Sequence, residues 1–389
     1  MHNDEASPHL SSKLKGNELI GPSTGINNLN YHFIIYQQNN LYDAISGEMY
    51  KRAIGASYFV HSHLHLIECS KEFNEFVINI IKDFKLNIQK YETKLEFLKN
   101  IRKNDEADVY IVDAWPNRIH IAKILKKFGF RVVLIEDHPI SFERFNSNRL
   151  IDKFLVFPLI YEIRILKSRN IFKLMDLVVS NSNSTQQFLK EKWKFNSTFI
   201  SYPPIHSHIF RYVTSKERNS VVIHWPSRMK TRDAIKITSV LDAIEFDKLW
   251  ILNPGNDYSD IQEIFSEKIV VKVNYTFEEI QAIYSESFLA IIPERDGAFE
   301  IIPIESIASG VPVLGATVPS IEAIITILQE LGIEEIPFFS LENLNINKFI
   351  SWNVRILKIM PKISAIINRE FSPENIMRTF VGKITYNKR

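Results

Sequence analysis

The sequence has a single cysteine, no apolar run long enough to cross a membrane and almost no excess of either charge. Cys69 has no second cysteine with which to form an internal disulfide, so we expect a reducing, cytoplasmic setting. No window reaches about 18 uninterrupted apolar residues, so no membrane-spanning helix is expected. Residues 1–30 lack an apolar core, and we interpret them as a polar tail rather than a signal peptide.

The net charge of +2 gives no reason to expect a nucleic-acid partner, because that function usually needs a clustered basic face. The 45% hydrophobic and 24% charged residues are ordinary values for a globular protein. At about 150 residues per domain, the 389 residues are enough for two or three domains.

Strand-like and helix-like segments alternate along most of the chain. In one example, the apolar runs DVYIVDA and RVVLIED flank a segment with helical spacing, PNRIHIAKILKKFG. This order predicts parallel strands joined by crossover helices. The spacing also predicts a strand at SYFVHSH, a long helical region from Ser70 to Arg102 and another from Arg149 to Asn170.

A proline-containing stretch with little periodicity, SYPPIHSHIF, divides this alternation in two. We therefore predict an α/β fold of two doubly wound, Rossmann-like domains that face each other across a cleft. The predicted domains are residues 31–203 and 220–375, joined by a linker at 204–219, and residues 376–389 are predicted to be a C-terminal helix and tail that pack back on the first domain. Ligands of such sheets bind beyond the carboxyl ends of the strands, so residues just after strands are candidate site residues.

One such segment is PERDGAFEIIPIESIASGVPVLGA, which follows a predicted strand ending at Ile292. A helix that begins near Pro303 would present free backbone N–H groups to the cleft, which suits an anion. Glu305 falls in the first turn of that helix. Spacing alone leaves two interpretations open: a carboxylate that accepts hydrogen bonds from ligand hydroxyls, or an acid that merely complements the helix dipole.

This segment resembles the nucleotide-sugar motif of the retaining glycosyltransferases of family four, which have the GT-B fold. Laid on the family pattern without gaps, the identical or conservative positions are Pro293, Phe299, Ile301, Pro303, Ile304, Glu305, Ala308, Gly310, Pro312 and Val313. Weaker resemblances occur in the family's order at DVYIVDAWPNRIHIAKILKKFGFRVVLIEDH, LMDLVVSNSNSTQQFLKEKW, YTFEEIQAIYSESFLAIIP and FSPENIMRTFVGKI. The resemblance leaves only the N-terminal tail uncovered and implies an N-terminal acceptor domain and a C-terminal nucleotide-sugar domain.

The resemblance implies that Glu305 binds the ribose hydroxyls of the donor nucleotide. The family has a second glutamate that contacts the donor sugar; that position here is Gly297, with Asp296 beside it as the candidate replacement. Backbone N–H groups around Ile301 and Ile302 would bind the donor diphosphate.

Glu300 departs from the family pattern and is counted among the donor-binding positions. The family has a glycine at this position, beside the diphosphate. An acid there repels phosphate unless its side chain turns away. A second departure is QQNNLYD, which stands where the family usually has a Gly-Gly loop after the first strand.

The segment WPSRMKTRDAIK supplies candidate cations for the diphosphate. Arg228 falls on the family's arginine, while the family's lysine position falls on Asp233, next to Arg232 and near Lys230. Fixed cations at a departing diphosphate lower the barrier to its departure. A solvated basic turn is the alternative interpretation.

The segment IEDHPISFE ends a predicted strand at the cleft. His138 corresponds to a family histidine that touches the donor or acceptor, and Asp137 could orient its ring. The alternative is a histidine with a structural role only.

His61, His63 and His65 alternate in VHSHLH, so in a strand they would share one face and could hold zinc. No cysteine or acid in register completes a ligand set, and the family needs no metal. We therefore favour a solvated or cleft-lining face, and expect no metal and no cofactor.

The resulting hypothesis is a retaining, metal-independent glycosyltransferase that moves a sugar from a nucleotide-diphosphate sugar to the hydroxyl of a glycan, glycolipid or glycoprotein. RLIDKFLVFPLIYEIRILKSRN mixes apolar and basic residues, and could touch a membrane or a lipid-linked acceptor, although we favour a core helix with a basic side. The alternative function is a catalytically impaired GT-B homologue that acts as a binding or scaffold partner of an active glycosyltransferase. A sugar-nucleotide epimerase of the same fold fits the order of the C-terminal motifs less well.

Overall fold

The computed structural model describes residues 29–38, 48–102, 108–114, 118–136, 170–214, 217–225, 231–252, 264–273, 275–293 and 300–386. Within these ranges the chain forms two parallel sheets, one after the other along the sequence. Each sheet is built from strands that alternate with helices, as the sequence pattern predicts. The predicted fold class, two doubly wound α/β units, is therefore confirmed.

The described strands of the first sheet are β1 (Asn30–Tyr36), β2 (His61–Ile67), β3 (Leu86–Tyr91), β4 (Val109–Asp113), β5 (Arg131–Glu136), β6 (Leu177–Ser180) and β7 (Phe199–Ile200). They lie in the order β3-β2-β1-β4-β5-β6-β7 and pair in parallel throughout. The helices of this unit are α1 (Glu48–Ser57), α2 (Lys71–Ile81), α3 (Lys94–Ile101), α4 (Ile119–Lys127) and α5 (Asn183–Glu191).

The described strands of the second sheet are β8 (Ser220–His224), β9 (Lys248–Leu252), β10 (Ile269–Lys272), β11 (Ser287–Ile292), β12 (Val313–Gly315) and β13 (Phe338–Ser340). They lie in the order β10-β9-β8-β11-β12-β13, again all parallel. The described helices after residue 219 are α6 (Thr231–Asp242), α7 (Phe277–Glu286), α8 (Ile302–Ala308), α9 (Pro319–Glu330), α10 (Ile346–Glu370) and α11 (Pro373–Tyr386).

The central strands are buried along their whole length, and are apolar except at their ends, because both faces of each sheet are covered. Every residue of β4, β6 and β8 is buried. Helices on both faces leave no solvated side, so these strands lack the polar alternation of a half-exposed sheet. The edge strands β3 and β10 are more exposed, and the polar residues of β3 discourage pairing with other chains.

Two sequence-based expectations for the first unit are wrong in position or type. The strand expected at SYFVHSH begins only at His61, because α1 continues to Ser57 and the N–H groups of Phe59 and Val60 bond back to the Ala56 carbonyl. The single helical region expected over residues 70–102 is two helices separated by β3. The polar edge strand LNIQKY has few β-branched residues, so its sequence is hard to distinguish from a helix. The helix predicted from Arg149 to Asn170 lies outside the described residues except for Asn170.

The C-terminal helix α11 returns to the first unit and packs on α1. Its apolar residues join the core of the first sheet: Ile376, Met377, Phe380, Val381 and Ile384. Arg131 at the start of β5 donates a 2.6 Å hydrogen bond to the Ile384 carbonyl. The helices approach so closely that a Cβ on Gly55 would lie 2.0 Å from the Pro373 carbonyl oxygen. The end of the chain therefore ties α1 firmly to its sheet.

Candidate functional site

Helix α8 begins as the sequence predicts, close to Pro303. Ile301 precedes its first residue, Ile302, and the N–H groups of Ile304 and Glu305 both bond to the Ile301 carbonyl. Proline in the first turn is tolerated because its missing N–H would have had no helical partner. The helix ends before Gly310, whose positive φ of 82° is a conformation that glycine adopts without strain.

The donor-binding residues predicted in this segment are only partly described. Glu300, Ile301 and Ile302 are half-buried at the start of α8. Asp296 and Gly297 lie outside the described residues.

Glu305 is buried at the contact between the two units. Its side chain is 7% exposed, and its Oε1 lies 3.8 Å from the Nζ of Lys51, which is 0% exposed. Lys51 belongs to α1 of the first unit, whereas Glu305 belongs to α8 of the second. A carboxylate and an ammonium thus meet across the junction, at a distance too long for a hydrogen bond.

Both charged atoms of this pair are short of hydrogen bonds. Within the described part of the chain, neither Lys51 Nζ nor Glu305 Oε1 has a hydrogen-bond partner. Burial raises the pKa of Glu305 to about 7, against the opposing effect of Lys51. Burial also lowers the pKa of Lys51, against the opposing effects of Glu305 and Glu48. Both shifts disfavour the charged forms, as expected when desolvation exceeds the attraction between two buried charges.

Two tyrosine–histidine pairs surround the ion pair. Tyr50, also on α1, shares a 2.8 Å hydrogen bond with His206, and Tyr284 on α7 shares one of 2.8 Å with His224. Burial first, and then the negative charge of Glu305, raises the pKa of both Tyr50 and Tyr284. Burial lowers the pKa of His224 to about 3 and that of His206 well below its usual value. The groups around Glu305 are therefore neutral hydrogen-bonding groups, with Lys51 as the one cation described against it.

Arg52, the neighbour of Lys51, shows how a buried cation is satisfied when its role is structural. Its guanidinium donates to the Ser201 hydroxyl at 2.7 Å, to the Ser201 carbonyl at 2.8 Å and to the Tyr202 carbonyl at 3.1 Å. It also pairs with Glu48 one turn away. Lys51 has no such set of partners among the described residues.

The predicted diphosphate-binding and reaction-centre residues lie mostly outside the described residues. These are Asp137, His138, Arg228 and Lys230. Arg232 is described, exposed in the first turn of α6, and its neighbour Asp233 is buried. The roles of these residues in binding and reaction remain predictions.

The three alternating histidines lie on one face of β2, as predicted, and span the first five residues of that strand. His61 is exposed at the amino end of the strand, and His65 is buried. His65 shares a 2.8 Å hydrogen bond with His32, which is 3.0 Å from Asp108, the residue just before β4. The predicted solvated face is confirmed at His61 but not at the buried His65, and the cleft-lining alternative stays a prediction. In the described ranges, no three His, Cys, Asp or Glu side chains are grouped so as to hold a metal ion.

Sequence reasoning missed Lys51 and the aromatic pairs beside it. The available signal was the sequence EMYKRAIG, in which two adjacent cations stand in an otherwise apolar half of a helix. Nothing in a single sequence indicates that position 51 meets position 305, because the two are joined only by the packing of the two units.

No helix in the described part of the chain combines the length and apolarity needed to cross a membrane. No protein-family model matches the sequence, and no curated protein matches it either.

Solved structures do resemble the chain. Sucrose-phosphate synthase from Thermosynechococcus elongatus superposes with a TM-score of 0.62 at 12% identity, over 92% of this chain and 98% of that one. Anabaena HepE in complex with UDP-glucose gives a TM-score of 0.62 at 11% identity, over 92% and 99%. A glycosyltransferase from Rickettsia africae ESF-5 gives 0.56 at 12% identity, over 93% and 98%. The chain has the GT-B fold. At these identities the likeness establishes the architecture, and Glu305 lies at the junction between the two units of that architecture.

Proposed function

We propose that the protein is a retaining glycosyltransferase that moves a sugar from a nucleotide-diphosphate sugar to an acceptor hydroxyl. The single observation that supports this most is the position of Glu305. It lies in the motif that resembles the family's nucleotide-sugar segment, in the first turn of α8, and at the junction of two GT-B units. Similar structures such as Anabaena HepE have UDP-glucose bound, and they align over nearly their whole length with this chain.

In the proposed donor complex, Glu305 accepts hydrogen bonds from the ribose hydroxyls. Arg228, with Arg232 or Lys230, neutralises the diphosphate. This assignment suits a charge that grows as the diphosphate departs, because fixed cations then stabilise the transition state more than the ground state.

The remaining proposed donor contacts come from the segment before α8. The N–H groups around Ile301 and Ile302 bind the phosphoryl oxygens, and Asp296 beside Gly297 contacts the donor sugar. Glu300 turns its carboxylate away from the phosphates, since like charges at that distance repel.

The proposed reaction needs no protein nucleophile. The acceptor oxygen attacks the anomeric carbon on the face from which the diphosphate leaves. The bond from that carbon to the phosphate oxygen breaks, and the acceptor proton passes to the departing phosphate. The configuration at carbon is thereby retained. His138, oriented by Asp137, lines the reaction centre and hydrogen-bonds the sugar or the acceptor hydroxyl.

The acceptor is proposed to be a glycan or a lipid-linked sugar, with peripheral contact at a membrane surface. The mixed apolar and basic segment at residues 149–170 motivates this part of the proposal. Binding to vesicles with and without anionic lipid tests it, and no binding to either contradicts the membrane contact.

Release of nucleoside diphosphate from a panel of UDP-, GDP- and ADP-sugars tests the activity. Steady release with at least one donor, faster when an acceptor sugar is added, is the expected result. Arg228→Ala should then reduce turnover more than donor affinity, because the clamp acts on charge that develops in the transition state. No binding and no release across the panel would instead favour the impaired, scaffolding homologue.

A further inference from the structure

Lys51 is a buried cation whose contacts in the fold do not explain its burial. Its side chain is 0% exposed, and its ammonium has no hydrogen-bond partner among the described residues. An ammonium removed from water without hydrogen bonds destabilises a folded protein. The adjacent Arg52 is equally buried but donates to three oxygens of residues 201–202. The helix could therefore be held in place by Arg52 alone, and the unsatisfied charge of Lys51 calls for another explanation.

The Lys51 ammonium pairs with the Glu305 carboxylate. The two side chains come from different units, and the distance between Nζ and Oε1 is 3.8 Å. Lys51 is entirely enclosed, whereas the Glu305 side chain retains 7% exposure. A ligand that enters between the units could thus contact Glu305. It could not contact Lys51 unless the Lys51 side chain moved. Lys51 can therefore act on such a ligand without touching it, through the carboxylate that it faces.

A carboxylate binds a diol well only when it is ionised, because the protonated acid loses acceptor capacity. Burial works against ionisation here, since it raises the pKa of Glu305 to about 7. Among the described residues, the groups that face the pair from neighbouring elements offer no second positive charge. They are Glu48 and Tyr50 on α1, His206 in the linker and Tyr284 on α7, and burial lowers the pKa of His206 so that it stays neutral.

Helices α9 and α10, which pack behind α8, place no buried titratable side chain against the ion pair. Their buried residues are apolar apart from serine and asparagine, among them Ser364 on α10, which hydrogen-bonds the Ala308 carbonyl. Among the described residues, Lys51 is therefore the cation that opposes the effect of burial and favours the ionised form of Glu305.

We propose that Lys51 is a positioning residue for donor binding, a cation from the first unit that holds the Glu305 carboxylate of the second unit in its ionised, hydrogen-bond-accepting form. This inference rests on the proposed function and adds to it a specific interaction between the units. The nucleotide-binding carboxylate is competent only while α1 is docked against α8. Donor affinity then depends on pH and on the packing of the two units together.

The test follows the protonation of Glu305 and the affinity for nucleoside diphosphate in parallel. The infrared carbonyl band of protonated Glu305 is identified by its absence in Glu305→Gln. The intensity of this band is then followed as a function of pH in the ligand-free protein. Binding of UDP, GDP and ADP is titrated from pH 6 to 9. In the wild type, affinity should fall as the pH is lowered through the infrared midpoint, and Glu305→Gln should remove the part of this dependence that belongs to Glu305.

Lys51→Met should raise the midpoint of Glu305 by about one pH unit or more. Nucleotide binding at pH 7 should weaken about fivefold for the first unit and about tenfold for each further unit. Affinity should recover towards pH 9, where the variant's carboxylate ionises. Lys51→Gln should act in the same way, and it provides a polar replacement if the methionine variant does not fold. Lys71→Met is the matched control, because Lys71 lies at the same 3.8 Å from a glutamate, Glu75, but is 83% exposed. It should change neither midpoint nor affinity.

The outcomes separate the inference from the proposed function. Unchanged midpoints in the Lys51 variants overturn the inference, as does a loss of affinity that is equal at every pH. If the wild type binds none of the nucleotides, the proposed function is wrong. The proposed role of Lys51 in donor binding is then wrong as well. A shifted midpoint together with a shifted affinity profile supports both.

Discussion

Tyr284 and His224 share a buried hydrogen bond of 2.8 Å that joins helix α7 to the carboxyl end of strand β8. This strand end precedes the segment that carries the predicted diphosphate-binding cations. Burial keeps the imidazole of His224 neutral by lowering its pKa to about 3, so the pair is a neutral one. The contact therefore joins α7 to the end of β8 near Glu305 without adding charge there.

Tyr284→Phe should lower the free energy of unfolding by about 1–3 kcal/mol, because it leaves His224 without this partner in a buried position. Urea denaturation followed by circular dichroism measures the change. Tyr58→Phe is the control, since Tyr58 is 56% exposed and its substitution should stay within about 0.5 kcal/mol. A Tyr284 variant as stable as the wild type would show that the hydrogen bond contributes nothing.

Arg52→Met should destabilise the protein by about 3–5 kcal/mol, because Glu48 and two carbonyl groups lose a buried cationic partner. Arg378→Met provides an unusually close control. The Arg52 guanidinium pairs with Glu48 and lies over the ring of Phe380. Arg378 likewise pairs with a glutamate one turn away, Glu374, and lies over a phenylalanine ring, but it is 58% exposed. Its loss should lower stability by no more than about 1 kcal/mol. Equal effects in the two variants would contradict a structural role for Arg52.

The contact between α1 and α11 can be tested with two glycine substitutions of opposite expected sign. Gly55→Ala would place a methyl group 2.0 Å from the Pro373 carbonyl oxygen, so the two helices must separate. Stability should fall by about 1–3 kcal/mol or more. Gly382→Ala, on α11 itself, places its methyl group where no atom lies within 4 Å. It should raise stability by about 0.5–1 kcal/mol, because alanine favours the helix. A thermal melt distinguishes them, and a stabilised Gly55 variant would contradict the packing described here.

The buried histidine chain of the first sheet predicts acid sensitivity. Burial lowers the pKa of His65 well below 6.5, so the folded protein holds this ring neutral. The unfolded chain binds a proton below about pH 6.5, and the stability that His65 contributes above that pH is lost as the pH falls through its folded pKa. His65→Gln should therefore make the decline in unfolding free energy from pH 6.5 to 4.5 shallower. His61→Gln, at an exposed position, should leave the slope unchanged; equal slopes in all three proteins would contradict the assignment.

Much of the fold could be predicted because the signals are local. The buried strands read as continuous apolar runs, and Pro303 marks the start of α8 within one residue. The edge strand β3 escaped prediction because Asn87, Gln89 and Lys90 suit a solvated edge and a helix surface equally well. Local composition cannot separate the two when burial, rather than propensity, determines the structure.

Of the two charged residues at the candidate site, only Glu305 could be predicted from the sequence. Glu305 could be proposed from its motif and its place in a helix turn. Its partner Lys51 is 254 positions away by their numbers, and only the docking of α1 against α8 brings the two together. The charge state of Glu305 depends on that docking, so a resemblance in the motif can suggest the carboxylate but not the cation that controls it.

The most direct test of the account is calorimetric titration of the wild type and Glu305→Gln with UDP, GDP and ADP at pH 8. Glutamine preserves the size of the side chain and removes its charge, and thermal unfolding confirms that the variant is folded. The account predicts saturable one-to-one binding of one nucleotide to the wild type, weakened about tenfold or more in the variant through loss of a charge-assisted hydrogen bond. Equal affinities in the two folded proteins, or no binding of any of the three nucleotides to the wild type, would contradict it.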